Sequence, residues 1–124
     1  MLAAEERKRL LSFVVVGGGP TGVEFSAELH DFLYQDVRRL FPDVYSDIQV
    51  RLVEGREILS SFDASLRDWA KARLTTEGVE LVTGAFVVLA TEPSSRRMDH
   101  CEVDCIVCVN VCLCMRVCVC VLAR

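Results

Sequence analysis

The first 100 residues of this 124-residue chain contain no cysteine. That leaves the body of the chain without a disulfide framework, and it says nothing direct about the redox compartment. All seven cysteines fall between Cys101 and Cys120, so they describe the end of the chain and not its body. Basic charge is scarce as well: 14 Lys and Arg against 18 Asp and Glu leave a net charge of −4. At that balance there is no electrostatic case for nucleic acid or for an anionic membrane surface. The N-terminal stretch lacks the apolar h-region of a secretory signal, and its early acids Glu5 and Glu6 are unlike a transit peptide. No targeting signal is read in this chain, and no internal repeat. The length fits one small core and leaves no room for a second cofactor or substrate domain.

What is present alternates strand and helix signals. Residues 3 to 10 are a short charged helix candidate. Phe13-Val14-Val15-Val16 is a continuous apolar run, as expected of a strand covered on both faces in a parallel sheet. Glycines break it, and Pro20 then stands where a helix begins, a position that tolerates the missing N–H. Phe25, Leu29, Phe32, Leu33, Val37 and Leu40 step by three and four, which predicts one apolar helix stripe ending at Pro42-Asp43. Ile48, Val50 and Leu52 alternate with Gln49 and Arg51, predicting a second strand over 48–53. Asp63 is a fitting N-cap for a second helix, with Leu66, Trp69, Ala70 and Leu74 as its buried stripe and Gly78 as its left-handed stop. Val79 to Thr83 is a third strand, Gly84 a turn, and Ala85 to Ala90 the arm of a hairpin. The order βαβαβ with right-handed crossovers defines an α/β, Rossmann-like domain with a parallel sheet over residues 1–91. Residues 92–100 are a polar linker, and 101–124 a partly ordered Cys/Val-rich tail.

The chemistry lies in Gly17-Gly18-Gly19-Pro20-Thr21-Gly22, a G-x-G-x-x-G placed directly after a strand and opening a helix. Gly17 allows the tight turn, Gly19 lets backbone approach a pyrophosphate, and Gly22 lets the helix pack closely. The helix N-terminus adds free N–H groups and about half a positive charge for the phosphates. The hexapeptide as a whole, Gly18, Pro20 and Thr21 included, is therefore the candidate cofactor loop. The second strand ends in Glu54, an acid able to bond the adenosine ribose hydroxyls. Glu54 lies 32 residues beyond Gly22, against the usual spacing of about 20, because the intervening helix and loop are long. A carboxylate there repels the 2′-phosphate of NADPH, so NADH is favoured, with Arg56 near enough to soften the repulsion. Glu24 has two readings: a carboxylate satisfied in the first turn by the helix dipole, or a group lining the nicotinamide end of the site. The remaining distinctive residues have plain readings. His30 and His100 lack partners at ligand spacing, Trp69 is core, and Arg38-Arg39 is a solvated helix face.

The stretch from Arg9 to Phe32, with Leu40-Phe41-Pro42, Val53-Glu54, Ile58-Leu59, Phe62-Asp63 and Gly78-Val79-Glu80 after it, resembles the NAD-binding segment of type II (alternative) NADH dehydrogenases. These are flavoproteins related to the pyridine nucleotide-disulfide reductases. The resemblance implies hydride transfer from NADH to FAD, then to quinone at the mitochondrial inner membrane surface. It implies that Gly17, Gly19 and Gly22 hold the pyrophosphate and Glu54 the ribose, and it moves Glu24 towards the nicotinamide as the catalytic candidate. The family's separate FAD fingerprint, its quinone site and its membrane-binding part are absent from this chain. The cofactor carries the hard chemistry, so the chain is expected to bind NADH weakly and not to turn it over. The other readings are a different disulfide-reductase-superfamily oxidoreductase, such as a ferredoxin reductase or an apoptosis-inducing-factor-like protein, and a non-catalytic nucleotide-binding module. The long first helix favours the alternative dehydrogenases over the former.

From Cys101 on, seven cysteines alternate largely with valine. A zinc site wants paired knuckles separated by a spacer, and no Gly or Pro follows residue 100 to make the turns. A membrane span over 106–122 would be interrupted by Asn110 and Arg116. An odd cysteine count speaks against a disulfide set. Alternating Cys and Val is also what a repeated TG dinucleotide encodes, and the reading taken here is low-complexity sequence foreign to the family.

Overall fold

The computed structural model describes residues 4–90, 105–108 and 118–123, with side chains over 4–85. The elements are α1 (Ala4–Leu10), β1 (Ser12–Val16), α2 (Pro20–Phe32), a π turn (Leu33–Val37), α3 (Arg38–Leu40) and α4 (Pro42–Tyr45). They continue with β2 (Gln49–Glu54), α5 (Ala64–Glu77), β3 (Glu80–Thr83), β4 (Ala85–Ala90), β5 (Cys105–Cys108) and β6 (Cys118–Ala123). Four strands form one sheet in the order β3-β2-β1-β5, with every pair parallel. This is the α/β, Rossmann-like arrangement expected from the sequence. The linker expected over 92–100 lies outside the described residues.

The valine run explains the centre of the sheet. Alternate residues of β1 face opposite sides, so a strand buried on both must be apolar throughout. Val15 packs with Val50, Leu52, Ile58, Ala70, Leu74 and Val79 on the helix side. Val14 packs with Val53 and Ala85 on the other. Val14, Val15, Leu52 and Ile58 are wholly buried, each contributing roughly 1.5–3 kcal/mol. The capping expectations hold. The Asp63 carboxylate accepts from the Leu66 N–H at 3.1 Å and from the Ser65 hydroxyl at 2.6 Å. Those bonds, the Ser65 one foremost, hold the Asp63 carboxyl below its ordinary pKa. Gly78 takes the left-handed conformation at φ +99°.

Both helix stripes differ from expectation. Of the stripe expected on the first long helix, Leu29, Leu33 and Val37 pack against the core, joined by Gly22 and Ser26, while Phe25, Phe32 and Leu40 face solvent. Small residues face the sheet here, and the Ser26 hydroxyl satisfies itself on the Gly22 carbonyl at 2.8 Å. An apolar count passes over both. The π turn does the rest. It inserts one residue, so Leu40, on Gly22's face by 3.6-residue counting, rotates away by about 100° and is 59% exposed. On α5, Ala70 and Leu74 are buried as expected, but Leu66 is half-exposed and Trp69 is 65% exposed. Trp69 is therefore not core.

Ala85–Ala90 is a strand but not the arm of a hairpin with β3. It pairs antiparallel with β6, residue Ala85 opposite Ala123. One residue, Gly84 at φ +72°, separates β3 from β4. A hairpin reversal takes two or more, so Gly84 acts as a kink that carries the chain into a second sheet. Cys105–Cys108 and Cys118–Ala123 are strands, not turns of a membrane helix. β5 lies beside β1, inside the parallel sheet, although its residues belong to the stretch read as a tail.

Candidate nucleotide-binding site

β1 ends at Val16, and three glycines carry the chain into α2. Gly17 has φ +108°, a left-handed conformation that side chains disfavour. Its N–H donates to the Val53 carbonyl at 2.9 Å, tying the turn to the end of β2. A Cβ at Gly22 would lie 1.8 Å from the Gly17 oxygen. The third glycine of the motif is thus required by the loop's own carbonyl, more than by the strand beneath it. A Cβ at Gly19 would meet no protein atom within 4 Å. The space over Gly19 is open at the start of the helix. Gly19 is the N-cap of α2, no side chain caps the helix, and Pro20 opens it, as expected. The first-turn N–H groups are left to meet an anion.

Glu54 closes β2 beside this loop. Its Oε2 accepts from the Gly18 N–H at 2.7 Å and its Oε1 from the Arg56 N–H at 3.0 Å. Arg56 meets Glu54 through backbone, and its side chain is exposed. A cleft of about 360 Å³ opens here, lined by Val16, Gly17, Val53, Glu54, Gly55 and Arg56. It lies beyond the carboxyl ends of β1 and β2, where open α/β sheets bind ligands.

The structure therefore brings together Gly17, Gly18, Gly19, Pro20, Gly22 and Glu54. Thr21 is exposed in the first turn of α2. Glu24 is exposed in the second turn of the helix, not the first, and pairs with no side chain among the described residues. The dipole reading of Glu24 weakens accordingly, because that effect falls off within the first turn. Two residues given no role by the motif also touch the loop. Ile58 packs against Gly18, and the Leu59 N–H donates to the Gly18 carbonyl at 2.7 Å. Leu59 has φ +50°, the one positive value outside glycine among the described residues. Side-chain type gives no signal for such a bond, since only backbone atoms make it.

A parallel sheet with a glycine turn at the carboxyl end of its central strand defines a Rossmann-like module. The chain belongs to the pyridine nucleotide-disulphide oxidoreductase family, whose profile matches residues 2–113. That match runs through β5, beyond the domain end expected at residue 91. The chain is 51% identical over 98 residues to the internal alternative NAD(P)H-ubiquinone oxidoreductase A1, mitochondrial, of Arabidopsis thaliana, covering 79% of this chain and 19% of that protein. It is 52% identical over 91 residues to the external enzyme B4, mitochondrial, of the same plant, covering 73% of this chain and 16% of that one. Among solved structures it is similar to NDH2 from Plasmodium falciparum in complex with NADH. There the TM-score is 0.68 at 33% identity, over 70% of this chain and 18% of that one. The chain thus spans under a fifth of the length of these relatives.

Proposed function

We propose that this chain is the NADH-holding portion of a flavin-dependent NADH:quinone oxidoreductase of the mitochondrial inner membrane surface. The observation that carries the proposal is the open space over Gly19 at an uncapped helix N-terminus, with the Glu54 carboxylate bonded to the N–H of the adjacent Gly18. A pyrophosphate fits that space: backbone approaches it unobstructed, and the first-turn amides supply the donors. Glu54 receives the adenosine ribose, with lone pairs left over after its two backbone bonds. Glu24, exposed and without a side-chain partner among the described residues, one turn further along α2, is assigned to the nicotinamide side. Bound NADH supplies a hydride, and the residues described here bind and orient it. The sequence holds one G-x-G-x-x-G, and a flavin needs a cradle of its own, so this chain alone binds NADH without consuming it. The membrane and the quinone are met by other parts of the parent protein.

The test is titration of the purified chain with NADH, followed by nicotinamide fluorescence. Saturable binding that Gly19→Ala weakens supports the proposal. Binding unchanged by Gly19→Ala would refute the placement, and steady NADH oxidation by the chain alone would refute the division of labour. Glu24→Gln is expected to leave binding in place and to slow hydride transfer in the full-length parent enzyme.

A further inference from the structure

Gly18 is held from both sides by one loop. Its N–H donates to Glu54 Oε2 at 2.7 Å, and its carbonyl accepts from the Leu59 N–H at 2.7 Å. A Cβ at position 18 would lie 2.8 Å from Ile58 Cγ2 and 2.9 Å from Glu54 Cβ. The glycine loop and the segment after β2 therefore touch across the bare Cα of Gly18. Leu59 keeps its left-handed backbone while 8% exposed, so packing holds it there. A cavity at the other end of the sheet, lined by His30, Tyr45 and Glu77 among others, has no observation that names a ligand.

We propose that Gly18, clamped by Leu59, is the positioning residue that fixes Glu54 for an adenosine ribose with a free 2′-hydroxyl, and so sets a preference for NADH over NADPH. The proposal rests on the placement of NADH given above. A carboxylate offers about four lone-pair sites, and the Gly18 and Arg56 amides use two. A 2′-hydroxyl donates to one of the others and leaves the Gly18 bond intact. A 2′-phosphate carries like charge, so Glu54 must swing away and release the Gly18 N–H. Discrimination then includes the loss of a charge-assisted hydrogen bond as well as direct repulsion. Weakening the clamp removes that part.

The experiment measures Kd for NADH and for NADPH on the 124-residue chain, on Gly18→Ala, on Glu54→Gln and on the double variant. Glu54→Gln is expected to cut the NADH preference by about tenfold, the effect of one charge-assisted bond. Gly18→Ala should cut it comparably, and the double variant no further than Glu54→Gln alone. Gly19→Ala should weaken both nucleotides equally. If Gly18→Ala keeps the parent ratio while Glu54→Gln loses it, the clamp is overturned and the placement of NADH stands. If Glu54→Gln keeps the ratio, or the parent chain binds neither nucleotide, both are overturned. Should Gly18→Ala not fold, amide exchange on the parent chain decides. Saturating NADH should slow exchange at Gly18 and Leu59, and saturating NADPH should not. Equal slowing by both nucleotides overturns the clamp.

Discussion

Gly22→Ala tests the packing of the loop most directly. The added Cβ would stand 1.8 Å from the Gly17 oxygen and 3.0 Å from its carbon. Neither neighbour is free to move. Gly17 is pinned by its bond to the Val53 carbonyl at 2.9 Å and by a φ of +108°. The start of α2 must therefore lift off the sheet, opening space beside Leu52, whose Cδ1 lies 3.8 Å from the new atom. Two effects oppose each other. Alanine in a helix gains about 1 kcal/mol over glycine. Overpacking typically costs about 1–3 kcal/mol, and a rigid backbone contact belongs at the top of that range or above it. The overlap wins, for a net loss of about 2 kcal/mol or more, which is a large share of a small domain's stability. Urea unfolding followed by far-UV circular dichroism is the assay. Trp69, 65% exposed, is a poor fluorescent reporter. A variant as stable as the parent, or more stable, refutes the reasoning.

Other substitutions probe single features. Gly78→Ala forces a Cβ into φ +99° and should cost about 1–2 kcal/mol in the same assay, although the nearest side-chain atom, His30 Nε2, sits at an ordinary 3.8 Å. Asp63→Ala removes the cap on Leu66 and should lower helix content, measured by circular dichroism. The folded Asp63 carboxyl titrates below its ordinary value, so its contribution is full above about pH 4 and fades as pH falls further; a parent-minus-variant difference that grows on acidification would contradict this. Trp69→Lys should leave stability within about 0.5 kcal/mol, as for other exposed positions, and a larger loss would return Trp69 to the core.

Local physics was legible in the sequence and remote physics was not. The Asp63 cap and the Gly78 stop involve atoms within a turn or two, so residue type suffices to place them. The valine run of β1 was equally readable, because burial on both faces leaves no polar position. The motif and Glu54 could be named, but Gly18 reaches Glu54 across 36 residues, and nothing in either residue's neighbourhood announces the bond. The partner of β4 is comparably remote, 28 to 38 residues along the chain. The stripe on α2 was half legible: Leu29, Leu33 and Val37 pack on the core as the spacing predicts, while Phe25, Phe32 and Leu40 do not. Counting apolar residues assumes a constant helical period, and the π turn at Leu33–Val37 changes it midway. Gly22 and Ser26 hold the inward face by being small, a property that hydrophobicity does not measure.

The two main helices begin in different ways. α5 begins at Asp63, whose side chain caps the first turn. α2 begins at Gly19, with no side-chain cap. Gly19 has an ordinary extended backbone, φ −72° and ψ −179°, so neither its conformation nor any neighbouring atom demands glycine. Glycine there costs conformational entropy, roughly 0.5–1 kcal/mol against alanine in regular structure, and it forgoes the bond that Ser, Asp or Asn would make as cap. Gly17, Gly18 and Gly22 each answer to protein atoms or to a left-handed turn. Gly19 answers to nothing within the described chain. A capping carboxylate would occupy the amides and repel an anion, and a Cβ would project into the space above them. Bare backbone at that one position makes physical sense when a phosphate comes to lie against it.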